Sequence, residues 1–408
     1  MSRSQLWTEI YRNWSNNGYI ECLSYHPHIN TVLCGGYNEV YNGDTLQYDR
    51  FPIFYRSINN GYFWYKTQLY GDPPSTNNTG YISGIANNDA NVWILLNHNL
   101  TTTEIWRSLN HGENFSLKTN ISTDTTKQIT WGTPISTELG RWIIPTLAKV
   151  FISDDNGETW TNVSNGLSNL YLPRTIKYAN NIYVIGGLAG NVSNNYGALW
   201  KSSNGLNWEM SVIPNSVGDI YGLDFSENNW LVAPLLVSRS KQLYSSPDLS
   251  TWTNLSNNAP EYIEYLTSHN GNIFSFSGYP QICKLANGTN IWTNYSNFKL
   301  TNTTNYIGGS PILGFINEYG NIFCTTYIAD DNNSSYLPSI WFDGIGQSEF
   351  NFSGVCYLNN YEINFSDSTI SSSSNGNLLL SRCRFHNFPK LIPPYTRPLT
   401  SSTKVGYY

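Results

Sequence analysis

Between residues 172 and 257, apolar and polar positions alternate in short bursts separated by Asn- and Gly-bearing turns, the pattern of half-buried β-strands. One stretch reads LPRTIKYA, an Asn180-Asn181 turn, NIYVIGG and NYGALWKSS, before a Ser-Asn-Gly turn leads into LNWEMSV. The next keeps the same order: DIYGLDF, a turn at Glu227 to Asn229, NWLVAPLL, KQLYSS and, past another turn, STWTNL. Four strands therefore recur in roughly 45 residues, the size of one propeller blade. Gly and Asn-Gly pairs interrupt the chain too often for stable amphipathic helices.

Each repeat carries a marker in which a Ser is followed by Asn or Asp, usually a Gly, and a closing aromatic. The cleanest copy is Ser153, Asp155, Gly157 and Trp160. Others are Ser57, Asn59, Gly61 and Trp64, then Ser108, Asn110, Gly112 and Phe115. Ser202, Asn204, Gly205 and Trp208 follow, then Ser246, Asp248 and Trp252, and a worn copy at Asn287, Gly288 and Trp292. The side-chain oxygen can accept backbone N–H groups within a tight turn, and Gly permits positive φ where the chain reverses. The closing aromatic is expected to be the apolar anchor of its blade. These positions are read as structural turns, not as a catalytic set.

The strand pattern places blades at 18–68, 80–120, 127–166, 172–213, 217–257 and 261–298. A seventh at 306–350 has strands SPILGFI, NIFCTTYI and LPSIWF, with its marker decayed to Asp343, Gly344 and Phe350. Trp14-Ser15-Asn16 echoes Trp160-Thr161-Asn162, so residues 6–16 are expected to supply the outer strand of the last blade. Closure of that kind removes two unpaired sheet edges. The expected fold is all-β, a seven-bladed β-propeller over 18–350, with six or eight blades as alternatives. Residues 1–17 form an arm. Residues 351–408 form a small β-element with a tail holding Pro389, Pro393, Pro394 and Pro398.

Composition narrows the classes of function. Only 12% of the chain is charged, with a net charge of -6, which argues against a nucleic-acid partner. The N-terminus lacks the apolar core of a secretory signal, and no apolar run is long enough for a membrane span. Cys22, Cys34, Cys283, Cys324, Cys356 and Cys383 lack paired zinc spacing and read as buried thiols. No phosphate loop or dinucleotide fingerprint is present, and no cofactor or metal is expected. His26 and His28 alternate on one strand face, and Asp330, Asp331 and Asn332 share a loop. A solvated or hydrogen-bonded pair is the preferred reading for the two histidines, and a plain polar turn for the loop, over a metal site.

SDDNGETW, residues 153–160, resembles the Asp-box, or bacterial neuraminidase repeat, Ser-x-Asp-x-Gly-x-Thr-Trp, at every defined position. The other copies resemble relaxed forms, together covering roughly residues 18–300. The resemblance implies a propeller whose boxes lie on the rim, away from the central ligand site. It is shared by sialidases, other glycosidases, sortilin-type receptors, photosystem-assembly factors and bacteriophage tail proteins. A sialidase would also need three converging arginines, a Tyr–Glu pair and an acid/base Asp. Arg50-Phe51-Pro52 is a poor match to that family's first arginine motif, and Arg107, Arg141, Arg174 and Arg239 are the other candidates. Another glycosidase needs only two carboxylates a few ångströms apart, for which Glu21, Asp219, Asp224, Glu261 and Glu264 are available near inner strands. The low-charge, Asn- and Tyr-rich texture resembles a bacteriophage tail or baseplate protein. That resemblance implies a non-enzymatic virion role, structural or in recognition of a host-surface glycan or protein. It also implies synthesis in the host cytoplasm and virion partners engaged through 351–408. The alternatives are a glycoside hydrolase and an intracellular assembly factor.

Overall fold

The computed structural model describes Trp7–Arg12, most of 17–297 and the strands lying within 307–386. Six sheets are each built from four strands consecutive in the chain. Sheet 1 runs Asn17–His26, Thr31–Asn42, Gln47–Ser57 and Tyr65–Gln68; sheet 2 runs Tyr81–Asn87, Trp93–His98, Thr102–Ser108 and Ser116–Ser122. Sheet 3 comprises Thr130–Gly132, Arg141–Thr146, Lys149–Ser153 and Thr161–Val163, and sheet 4 Leu170–Ala179, Ile182–Asn191, Asn194–Ser202 and Glu209–Ser211. Sheet 5 holds Asp219–Ser226, Asn229–Leu235, Tyr244–Ser246 and Thr253–Asn254, and sheet 6 Tyr265–His269, Asn272–Phe276, Gln281–Leu285 and Trp292–Asn297. A further four-stranded sheet is composite. Ile307–Ile316, Ile322–Ala329 and Tyr336–Asp343 are joined at the edge by the N-terminal strand Trp7–Arg12.

The first strand of each sheet touches the first strand of the next, and Ile307–Ile316 touches Asn17–His26, so these inner strands surround an axis. Contacts divide the chain into two compact units. One is Trp7–Phe342; the other joins Met1–Leu6 with Asp343–Tyr408. Phe350, expected to close a seventh marker, instead belongs to Glu349–Phe352, which pairs in parallel with Thr369–Ser372 of the second unit. Asn287 and Gly288 lie outside the described residues.

Within the box the hydrogen bonds repeat. Gly61, Gly112, Gly157 and Gly205 donate backbone N–H groups to Ser57, Ser108, Ser153 and Ser202 Oγ at 2.8–3.1 Å. Asp155 accepts from the backbone of Glu158 and Thr159 and from two hydroxyls. Burial works to raise its carboxyl, but these bonds outweigh it and hold it below the ordinary value. Trp64, Trp160 and Trp208 Nε1 return to the box glycine carbonyls.

The box also interlocks neighbouring sheets. A Cβ on Gly112, Gly157 or Gly205 would lie within 2.4–2.6 Å of Leu33, Ile94 or Ile143, each on the second strand of the preceding sheet. Those glycines have φ of +73° to +82°. In sheet 5 Leu249 takes the glycine position at φ 61° and packs with Val184 and Leu199 of sheet 4. A cation reinforces three of these joints: Arg56 Nε donates to His111 O at 2.9 Å, Arg107 pairs with Glu158, and Arg141 donates to Asn204 O.

The expected anchor is only part of the core. Trp64, Trp208 and Trp292 are buried, but Trp160 and Trp252 are only partly buried. The residue opposite the box Ser is the more deeply buried one. Trp93, Trp142, Tyr183 and Trp230 face Ser108, Ser153, Ser202 and Ser246 across the ladder, and all four are inaccessible to solvent.

Candidate functional site

The two ends of the ring differ. Ser57 pairs with Val32 beside the turn joining the first two strands of sheet 1, so the boxes share that end. The inner strands begin at the other end.

Near that beginning, several inner strands contain a one-residue bulge against the second strand. The pairing skips between Ile20 and Cys22, Ile82 and Gly84, Pro173 and Thr175, Ile220 and Gly222, and Pro311 and Leu313. The extra residues are Glu21, Ser83, Arg174, Tyr221 and Ile312. A bulge re-aims side chains because one added residue reverses the alternation of faces. The partner strand must approach closely, which explains Gly35-Gly36 and Gly186-Gly187. A Cβ on Gly36 would lie 1.8 Å from Tyr19 O, and one on Gly187 would lie 2.1 Å from Leu172 O.

The bulges also govern the charges between sheets 4 and 5. Asp219 and Asp224 are five positions apart and would face opposite ways on a regular strand; the bulge turns both toward Leu170–Ala179. Arg174 Nε meets Asp219 Oδ2 at 2.5 Å, and Lys177 pairs with Asp224. The Arg174 guanidinium lies 5.0 Å from the centroid of the Tyr221 ring. Burial raises the Asp219 carboxyl despite Arg174, while burial and then the charge of Asp224 push Tyr265 up to about 12. Within sheet 1, Arg50 lies 4.5 Å from the Tyr37 ring and pairs with Glu39. Tyr37 also packs near Tyr19 and Tyr81.

The arrangement bears on each hydrolytic candidate. Asp219 and Asp224 are separated by roughly 15 Å along an extended strand, beyond the separation of about 5–9.5 Å used in glycoside hydrolysis. Glu21 lies on the inner strand of sheet 1, while Glu261 and Glu264 lie outside the described residues. Arg107 and Arg141 belong to the box end; Arg141 holds Asp154 through two bonds of 2.6 and 2.7 Å. Arg50 and Arg174 are at the opposite end, so these four do not converge. Arg239, Asp330, Asp331 and Asn332 lie outside the described residues.

His26 is buried and His28 exposed, with ring centroids 6.0 Å apart. Among the described residues no group of three metal-ligating side chains occurs, and neither His26 ring nitrogen makes a well-aligned hydrogen bond there, the Asn88 backbone lying only near enough to interact weakly. Burial lowers the His26 pKa, and His28 adds to this; the Asn88 backbone and Asp89 oppose it in part. Below the unfolded value of about 6.5, the unfolded chain therefore takes up more protons. Stability is expected to be full above that value and to decline as pH falls through the folded pKa. His26→Phe should flatten the decline measured by thermal denaturation between about pH 7 and 5. Because burial lowers His269 as well, a residual slope should remain.

Gly35-Gly36 and Gly186-Gly187 are the sequence signal of the bulges at Glu21 and Arg174, legible only once the pairing is known, whereas Ser83 and Tyr221 face no such pair. No protein-family model and no curated protein matches the chain. Among solved structures it is similar to YCF48 from Cyanidioschyzon merolae, with TM-score 0.55 and 10% identity over 82% of this chain and 98% of that one. It is similar also to the extracellular domain of the hybrid two-component system protein BT4673 from B. thetaiotaomicron, with TM-score 0.53 and 14% identity. That match covers 82% of this chain but 39% of the other. A GH74 enzyme of Niastella koreensis matches at TM-score 0.49 and 13% identity, over 81% of this chain and 61% of that one. Together with the ring of four-stranded sheets, the first two likenesses show an all-β propeller fold, and the fold alone.

Proposed function

We propose that the chain is a non-enzymatic recognition propeller of a virion tail or baseplate. It binds a host-surface glycan or protein at the axial end where the inner strands begin, and residues 351–408 attach it to other virion proteins. Seven blades make the ring, the composite sheet being the seventh, with Trp7–Arg12 as its closing strand. The supporting observation is the series of bulges, which directs Glu21, Arg174 and Tyr221 out of the regular alternation at one end of the ring. Strand bulges commonly serve to re-aim functional side chains, and aromatic, amide and charged groups together suit multipoint contact with hydroxylated or peptide ligands. The engagement of Asp219 and Asp224 by cations, and the distance between them, favour binding over a hydrolytic pair.

The test is titration of bacterial surface polysaccharides and host-envelope proteins against the wild-type chain and Tyr221→Ala, with product analysis in parallel. Binding without turnover is expected, weakened about tenfold by the substitution with little change in melting temperature. Turnover abolished by Asp219→Asn would establish the hydrolase instead. Absence of the chain from purified virions, by immunolabelling, would remove the virion setting and leave an intracellular assembly factor.

A further inference from the structure

Among the described residues, the unit containing Asp343–Tyr408 has six short strands. Glu349–Phe352 pairs with Thr369–Ser372, Val355–Asn359 with Asn377–Ser381, and Glu362–Asn364 with Arg384–His386. All three pairings are parallel, and each partner lies one similar interval onward: Glu349 with Thr369, Val355 with Asn377, Glu362 with Arg384. Parallel neighbours require a long crossover, and here each crossover consists of the other two strands. The path is therefore two successive coils of a parallel β-solenoid, with three strands to a coil. Its register sets apolar on apolar and opposite charges together: Phe350 opposite Ile370, Leu358 opposite Leu380, Ile363 opposite Phe385, and Glu362 opposite Arg384.

Two coils are fewer than the three or more repeats that such stacks need to bury a continuous core. Among the described residues, each second-coil strand pairs with one first-coil strand only. A third coil at the same interval would begin near residue 389, where the sequence has Pro389, Pro393, Pro394 and Pro398. Proline cannot donate to a ladder, so this stretch is unsuited to supply that coil.

We propose that residues 349–386 are a self-association module in which the second coil of one chain stacks on the first coil of a second copy. This deepens the reading of 351–408 as an attachment segment and rests on it. The argument is complementarity. With a copy's first coil in third place, every second-coil residue meets the residue type it already meets within its own chain. Arg384 then lies opposite Glu362 of the second copy, Leu380 opposite its Leu358, and Phe385 opposite its Ile363. The contact is head to tail, so the rest of the molecule sets the number of copies.

Light scattering on the full chain across a concentration series tests this. The wild type is expected to reach the mass of two or more chains. Arg384→Glu should weaken association at least about tenfold, because it sets like charges opposite one another. Glu362→Arg combined with Arg384→Glu restores the alternation within and between chains and should restore the mass. A wild type monomeric at every concentration, an Arg384→Glu variant of undiminished mass, or a double variant no better than the single one would each overturn the proposal. Ligand binding by these variants, measured alongside, separates failure of the module from failure of the axial site.

Discussion

Trp142→Ala is expected to lower the unfolding free energy by about 3–5 kcal/mol, the usual cost of emptying a large aromatic site that cannot collapse. Trp142 has no solvent exposure and lies opposite the box residue Ser153 in the ladder. It joins a cluster with Ile94 and Leu96 of sheet 2 and with Val92 just before that strand, so the side chain spans the boundary between two sheets. Its Nε1 has no hydrogen-bond partner among the described residues, which assigns its contribution to packing and not to a polar bond. Trp160→Ala should cost clearly less, because Trp160 is only partly buried and truncation there empties less buried volume. Urea denaturation of both variants, compared at similar m values, decides between the two anchors. A larger loss at Trp160 would restore the closing aromatic to the role its periodicity suggests.

The ordering of these two tryptophans shows what the sequence could disclose. Trp160 ends a recurrent turn whose Ser, Asp and Gly have local jobs, so its position is visible from spacing alone. Trp142 sits inside RWIIPT, an apolar run with no marker, and its neighbour in the core comes from another repeat. The same distinction separates the box from the bulges. Gly157 can be assigned to a turn from its neighbours in sequence, whereas Arg174 is recognised as an inserted residue only from the pairing of Pro173 and Thr175 with Gly187 and Gly186. Arg56, Arg107 and Arg141 were legible as cations, but not as links to the next box, because that contact crosses a full repeat. In the C-terminal unit the repeat occurs twice among the described residues and pairs Phe350 with Ile370 and Glu362 with Arg384. Apolar similarity without identity and a reversal of charge, over two copies, left no periodic signal.

Lys177→Met is expected to destabilise the chain by about 2–4 kcal/mol, while Lys177→Met combined with Asp224→Leu should recover most of that loss. Asp224 is fully buried, and its Oδ2 has no hydrogen-bond partner among the described residues, so its ion pair with Lys177 offsets the cost of desolvating the carboxylate. Removing the ammonium alone leaves a buried charge without that compensation. The Lys177 side chain is 39% exposed, so water screens the interaction and the loss should fall short of the 3–5 kcal/mol typical of breaking a wholly buried pair. The double variant removes both charges and places apolar side chains on facing inner strands, where burial favours them. A denaturation cycle over wild type, both single variants and the double variant reads the coupling directly. Strong coupling would show that the carboxylate stands on Leu170–Ala179 for its stability. If the two single losses simply added, Asp224 would have compensation other than Lys177, and its buried oxygen would regain a claim to an axial ligand.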